Sequence, residues 1–253
     1  MAVSLKQIEN ELKKLLRPEQ FSDYCPNGLQ VEGRAEISKI VTGVTACKAL
    51  IEAAAQAQAD LLLVHHGYFW RGEDQAISGV KKSRIESLLE NEMSLIAYHL
   101  PLDVHAEFGN NVQLGKVLGI EADGELGKQN NHPIGLTGNF EDPLSFVELN
   151  ELIETSLGRK PLAVDGGGAS IKSVAWCTGA AQSYIELAVD AGVDAYITGE
   201  VSEATVHIAR EAGLHFFSAG HHATERYGVQ ALGNYLAEKF SLQHQFIDID
   251  NPV

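Results

Sequence analysis

The sequence predicts an α/β fold made of two related halves. Three observations predict it. Short apolar, β-rich runs alternate with helical patterns. A strand–helix–strand segment recurs later in the chain. Two histidine doublets, His65-His66 and His221-His222, each follow an apolar run, where an α/β sheet gathers its ligands.

Element by element, Leu5, Ile8, Leu12 and Leu15 line one face of an opening helix. Residues 40–44 read as a buried strand, 46–59 as an alanine-rich helix, and 61–64 as an apolar strand that ends at His65. The basic run Lys81-Lys82-Ser83-Arg84 reads as a solvated helix start. Residues 95–98 form a further strand. Pro101 disfavours helix at Leu100, so His99, Pro101 and Asp103 are expected in an extended turn. Residues 112–118 look helical and stop at Gly119. Residues 121–143 read as a connector or surface hairpin. Ser145 and Glu148 form a capping box for a helix through Leu157. Residues 165–170 are a glycine-rich loop without a phosphate-binding signature. Strand 174–177, helix 184–190, strand 195–198, strand 214–218, helix 223–240 and strand 246–249 complete the reading.

The repeat places residues 40–66 over 174–200 without gaps, an offset of 134. Ala46, Ile51, Glu52, Ala54, Ala57 and Asp60 coincide with Ala180, Ile185, Glu186, Ala188, Ala191 and Asp194. The first copy ends at His65-His66 and the second at Gly199-Glu200. A weaker match places 95–109 over 214–228, an offset of 119, so the segments 99–103 and 221–225 are expected in related loops. Two lobes, 1–125 and 126–253 with no inserted middle domain, would bring four strand-end loops to one cleft.

Composition narrows the function. The 253 residues are 45% hydrophobic, enough for a full core, and no run reaches the roughly 18 apolar residues of a membrane helix. The start of the chain is amphipathic and charged rather than a signal peptide, so a cytoplasmic protein is expected. Cys25, Cys47 and Cys177 lie far apart, which argues against a disulfide framework or a thiolate zinc site. A formal charge of −15 disfavours nucleic acid as a partner.

The chemistry lies in histidines and carboxylates. Adjacent strand residues point to opposite sides, so His65 and His66 are expected to serve two different ions. Glu225 follows His221 by four residues, on one face of a starting helix, and its carboxylate can bridge. Asp103 completes the set. Successive helical residues are about 100° apart, which turns His222 away from Glu225 and towards a supporting role. Taken singly, each residue has a bland reading: a hydrogen-bonded core histidine, a decorated helix, a helix cap. Taken together, in repeat-related positions, His65, His66, Asp103, His221 and Glu225 favour a two-metal centre with positions left for water. Zinc, iron, manganese and nickel suit such donors alike. His99, His222 and Glu200 are candidates for orienting the ligands or transferring protons.

At these residues the chain resembles the Ngg-interacting-factor-three-like proteins, the type 2 homologues of GTP cyclohydrolase I. The matching stretches are Asp23-Tyr-Cys-Pro-Asn-Gly-Leu-Gln-Val-Glu-Gly33, Val64-His-His-Gly-Tyr-Phe-Trp70, His99-Leu-Pro-Leu-Asp103, Gly109-Asn-Asn111, Thr198-Gly-Glu200 and Ser218-Ala-Gly-His-His-Ala-Thr-Glu225. The resemblance implies pseudo-twofold α/β lobes with a dinuclear metal site in the cleft between them, and subunits assembled as a toroidal homohexamer. It implies one ion on His66, Asp103 and Glu225 and the other on His65, His221 and Glu225. It also implies a metal-dependent hydrolase of the cyclohydrolase type acting on a small molecule such as a nucleotide. Arg71, Lys81, Lys82, Arg84 or Arg226 would then offset the local negative charge. The alternative is a non-catalytic metal-binding ring for partner binding or metal handling.

Overall fold

A computed structural model describes residues 2–129, 132–168 and 170–253. The chain opens with strand β1 (Val3–Ser4) and helix α1 (Leu5–Leu16). Ser4 caps α1 and forms a capping box with Gln7. Leu5, Ile8, Leu12 and Leu16 are its buried stripe; Leu16 takes the place the periodicity gave to Leu15. Strands β2 (Gly28–Val31), β3 (Glu36–Ile37) and β4 (Lys39–Thr45) lead to α2 (Lys48–Gln56) and β5 (Leu61–His66). Helix α3 (Gly79–Glu90), strand β6 (Ser94–Ala97) and the single turn α4 (Leu100–Asp103) follow. The middle of the chain forms α5 (Asn110–Val117), β7 (Glu121–Gln129), β8 (His132–Leu144), α6 (Phe146–Leu157), β9 (Leu162–Val164) and β10 (Ile171–Trp176). It continues through α7 (Ile185–Ala191), β11 (Ala195–Thr198), α8 (Glu203–Ala212), β12 (His215–Ser218) and α9 (His221–Thr224). Helix α10 (Arg226–Phe240) and strand β13 (Gln243–Phe246) close it.

These elements form two compact units, neither continuous in sequence. One holds the residues up to Phe108 together with Gly228–Asp250; the other holds Gly109–Tyr227 and Asn251–Val253. A single break near residue 125 does not describe them. The physical reason is that β13 returns to pair in parallel with β4, Gln243 opposite Lys39, and carries most of α10 with it.

The first unit contains a five-stranded sheet in the order β13-β4-β5-β6-β2, parallel except for β2. Successive residues of its central strands feed opposite faces. Ile40, Leu61, Leu63 and Ile96 pack with Ile8 and Leu12 of α1 and with Leu232 of α10. Val41, Leu62, Val64 and Leu95 pack with Leu50 and Ile51 of α2 and Leu88 of α3. Burial on both faces is why residues 61–64 read as an unbroken apolar run rather than an alternating one.

The second unit contains a six-stranded sheet in the order β7-β8-β10-β11-β12-β9, whose centre, β10-β11-β12, is parallel. Trp176, Ile197 and Phe217 face α5 and α6, while Ala175, Tyr196 and Phe216 face α7 and α8. The Trp176 indole N–H donates to the Asn111 carbonyl at 2.7 Å, and Gly115 leaves the room this ring needs. In the stretch expected as a connector or surface hairpin, β7 and β8 pair antiparallel, and β8 extends the sheet beside β10.

The repeat is kept to the residue. Ile40 lies opposite Leu61 in one unit and Val174 opposite Ala195 in the other, each related by the same offset of 134. The third parallel strand corrects the weaker match. Leu61 lies opposite Ser94 and Ala195 opposite His215, an offset of 121 between residues 94 and 215 rather than 119. With that shift, α4 (100–103) and α9 (221–224) coincide. The His99–Asp103 segment is thus a helical turn, not an extended one. Pro101 sits in its first turn, where a helix needs no N–H from it. The expected helix 223–240 is likewise two helices broken at Glu225, and the closing strand lies at 243–246. No helix among the described residues is long and apolar enough to cross a membrane.

Candidate metal centre

The expected ligands fall into two sets, one on each unit. In the first, β5 delivers His65 and His66 at its carboxyl end, next to β6 and the α4 turn. His65 is fully buried. Its Nδ1 lies 2.9 Å from the Tyr98 carbonyl, which fixes that nitrogen as the N–H donor. The other ring nitrogen, Nε2, lies 3.4 Å from Asp103 Oδ1. His66 Nδ1 lies 3.1 Å from Thr45 Oγ1. The two rings do not point to opposite sides: their centroids are 4.5 Å apart, and both neighbour His99, at 5.1 and 5.7 Å. Strand β5 ends at His66 and the chain turns at Gly67, so the pleat no longer separates the pair. A Cβ at Gly67 would collide with Gln30 Oε1 and Ala97, so only glycine allows this turn. His65, His66 and His99 each offer a ligand atom within 4.8 Å of the others.

His99 is held by Asp23. The carboxylate accepts from His99 Nδ1 at 2.8 Å, Asn27 Nδ2 at 2.8 Å, the Tyr24 N–H at 2.6 Å and the Leu100 N–H at 3.0 Å. Burial would raise the Asp23 pKa, but the His99 hydrogen bond and charge outweigh it and hold the carboxyl below its ordinary value. Cys25 lies beside this pair. Burial, with help from Asp23 and Asp103, pushes its thiol up to about 12, so it stays neutral and is a poor ligand.

In the second unit, the α9 turn and the break after it place His221 between two carboxylates. Its Nδ1 lies 2.7 Å from Glu200 Oε1 and its Nε2 lies 3.2 Å from Glu225 Oε2. Burial would lower the His221 pKa, but Glu225 and then Glu200 outweigh it and raise it to about 9. Gly179, with φ +70°, leaves space for the Glu225 carboxylate; a Cβ there would lie 2.2 Å from Oε1. His222 is buried on the same turn, its backbone N–H donating to the Val253 carbonyl. The contacts that tie His221 to Glu200 and Glu225 do not include it.

These distances suit a cation. Two donors on one tetrahedral ion at about 2.0–2.2 Å stand roughly 3.3–3.5 Å apart. The His65–Asp103 and His221–Glu225 separations of 3.4 and 3.2 Å are close to that spacing. In both cases the second imidazole nitrogen points at an oxygen that orients the ring, Tyr98 O or Glu200 Oε1. Within the first unit, Asp103 stands by His65.

Sequence reasoning assigned no role to Asp23, Thr45, Asn27 or the Tyr98 carbonyl. Asp23 stood inside a quoted motif, but nothing local links it to His99, 76 positions away. A backbone carbonyl carries no sequence signal at all.

The comparisons with known proteins agree with this architecture. The family model described as Duf34/NIF3 (NGG1p interacting factor 3) matches residues 3–252. Proteins named GTP cyclohydrolase 1 type 2 homolog from Pseudomonas aeruginosa and Vibrio cholerae are each 54% identical, over 100% and 98% of both chains respectively. The solved structure of protein ybgI, described as of unknown function, matches with a TM-score of 0.95 at 50% identity, covering 99% of this chain and 100% of that one. A protein from Thermus thermophilus matches with a TM-score of 0.89 at 32% identity over the same shares. The paired strand–helix–strand units, the histidine–carboxylate sets at their strand ends and this near-complete likeness agree: the chain belongs to the Duf34/NIF3 family.

Proposed function

We propose that the chain is a metal-dependent hydrolase with a dinuclear centre, acting on a small molecule such as a nucleotide. One observation carries the reading. In each unit an imidazole is locked by an oxygen on Nδ1 and presents Nε2 to a carboxylate at ion-sharing distance. A buried imidazole so arranged needs a cation between nitrogen and oxygen, either a proton or a metal. In this reading the first ion is held by His65 and Asp103, and the second by His66 and His221. Glu225 would serve both, as the family resemblance implies. This exchanges the partners of Asp103 and His221 relative to the family-derived expectation, because Asp103 neighbours His65. Bound divalent ions would supply Lewis acidity and a water acidified to near neutral pH. The chain's own residues do the rest. Tyr98, Thr45 and Glu200 fix the ring orientations, and Asp23 holds His99 with its Nδ1–H directed inward to the carboxylate, leaving Nε2 to accept a proton.

The reading extends to a cytoplasmic homohexamer, as the family resemblance implies. Light scattering after size exclusion should give about six chains of 27.4 kDa, and a concentration-independent monomer removes the hexamer. The central test takes metal-loaded protein through nucleotides, phosphoesters and cyclic amides. Hydrolysis that disappears in Glu225→Ala supports the enzyme. Two bound ions without hydrolysis of any member favour a metal-binding assembly instead.

A further inference from the structure

The first unit contains a cavity of about 690 Å³, within the size range of small-molecule sites. One wall is the polar face of α1, with Lys6, Glu9 and Lys13; the stripe Ile8 and Leu12 faces the core instead. Tyr98 closes the cavity from the inside. It is 2% exposed, and its ring belongs to the core that holds Ile8 and Leu12. Its hydroxyl lies beside Gly28, another residue of the wall: a Cβ there would stand 3.8 Å from Oη, and φ +115° favours glycine at that position. Among the described residues this hydroxyl has no hydrogen-bond partner. A phenol buried to this degree ordinarily finds one. Burial, then Glu9 and Glu19, raise the Tyr98 pKa above its ordinary value, so the group stays neutral.

The charges on the wall are of both signs. Lys6 and Glu9 already pair with each other at 3.4 Å. Glu19 and Lys13 line the same cavity, and neither forms an ion pair among the described residues. The Arg71 guanidinium, also on the wall, donates to the Asp23 main-chain carbonyl at 3.0 Å and to no carboxylate among those residues. Phe21 and Leu29 add apolar surface. Opposite charges that share a cavity without meeting can each meet a ligand that carries both signs, whereas a ligand of one sign confronts a like charge. The cavity also touches the supports of the candidate metal centre. Asp23, which holds His99, lines it, and Tyr98 turns its carbonyl to His65 and its hydroxyl to the cavity.

We propose that this cavity is a second binding site, for a small aliphatic amino acid whose ammonium and carboxylate are separated by an apolar spacer. Glu19 and the Tyr98 oxygen accept from the ammonium. Lys13 and the free edge of the Arg71 fork take the carboxylate. The spacer lies against Phe21 and Leu29. The inference does not depend on the metal-site reading, because none of these side chains is among the expected ligands.

Calorimetric titration of the full chain with 6-aminohexanoate, hexanoate and hexylamine is the test. The three share the spacer and differ in their charges. Wild type is expected to bind 6-aminohexanoate at least roughly tenfold more tightly than either of the others. Tyr98→Phe should weaken 6-aminohexanoate roughly 2- to 12-fold without a fall in Tm, since the hydroxyl has no hydrogen bond within the protein to lose. Glu19→Gln should abolish the preference over hexanoate and keep that over hexylamine. Lys13→Gln combined with Arg71→Gln should do the converse. If wild type shows no saturable binding of 6-aminohexanoate, or binds hexanoate or hexylamine equally well, the site is wrong. Full binding retained in both Tyr98→Phe and Glu19→Gln places the ligand elsewhere and overturns it as well.

Discussion

The two strand–helix–strand copies share a frame and diverge in chemistry. Both pair their strands in the same register, and both place a single helical turn three residues after the third parallel strand ends. Yet the end of β5 presents two imidazoles, His65 and His66, where the second copy presents Gly199 and Glu200. The first turn ends on Asp103, while the second starts on His221 and is followed by Glu225. In the proposed centre one copy would therefore supply mainly nitrogen donors with one carboxylate, and the other mainly carboxylates with one nitrogen. Backbone geometry is conserved because burial on both sheet faces fixes the register. Residues past the strand ends carry no packing constraint of that kind and can specialise.

That division of labour can be broken at its centre. Glu225→Ala should have the largest effect, removing both ions if the carboxylate is shared; elemental analysis at saturating metal reads it, and retention of two ions per chain refutes sharing. His221→Ala should then empty one position, while His222→Ala should keep both, since His221 contacts Glu200 and Glu225. The reverse outcome would show that the second turn has been read in the wrong register.

The supporting carboxylates separate the copies further. Asp23 accepts four hydrogen bonds, including two backbone N–H groups and His99, so Asp23→Asn leaves buried donors facing an amide. A cost of about 1–3 kcal/mol is expected, seen as a Tm loss of several degrees. Glu200 is more open, and it contacts His221. Glu200→Gln should leave Tm nearly unchanged and weaken metal binding by roughly tenfold. Equal Tm losses in the two variants would contradict the contrast.

The smallest effect is in pH. In chelated protein, His221 has a folded pKa raised from 6.5 to about 9, so its stabilisation is fully present below about 6.5 and disappears as pH rises through about 9. Asp23 has a folded pKa below 3.8, so its stabilisation is present above that value and is lost as pH falls through the depressed one. Hydrogen exchange should therefore show the first unit loosening in acid and the α9 turn loosening in alkali. Simultaneous loosening at either end of the range would break the assignment.

Much of this was legible in the residues. The apolar run 61–64, the capping box Ser145–Glu148 and the repeat with offset 134 all became the expected elements, because each encodes its structure locally. Helix α8 escaped notice: its buried residues are Thr205 and Ala209, too small and polar to draw an apolar stripe. The α4 turn was misread because proline was weighed as a breaker rather than as a first-turn residue.

By itself, then, the sequence determined the α/β class and the duplicated strand–helix–strand frame and nominated the candidate donor residues, since period, composition and spacing are local properties. Tertiary structure alone decided three things. It brought the last strand back to β4, so that neither unit is continuous in sequence. It set the two-residue correction in the third strand, because register is a property of the neighbouring strand. And it chose the partner of each ring, Asp103 for His65 and Asp23 for His99, because hydrogen-bond distance is measured through space between residues 38 and 76 positions apart.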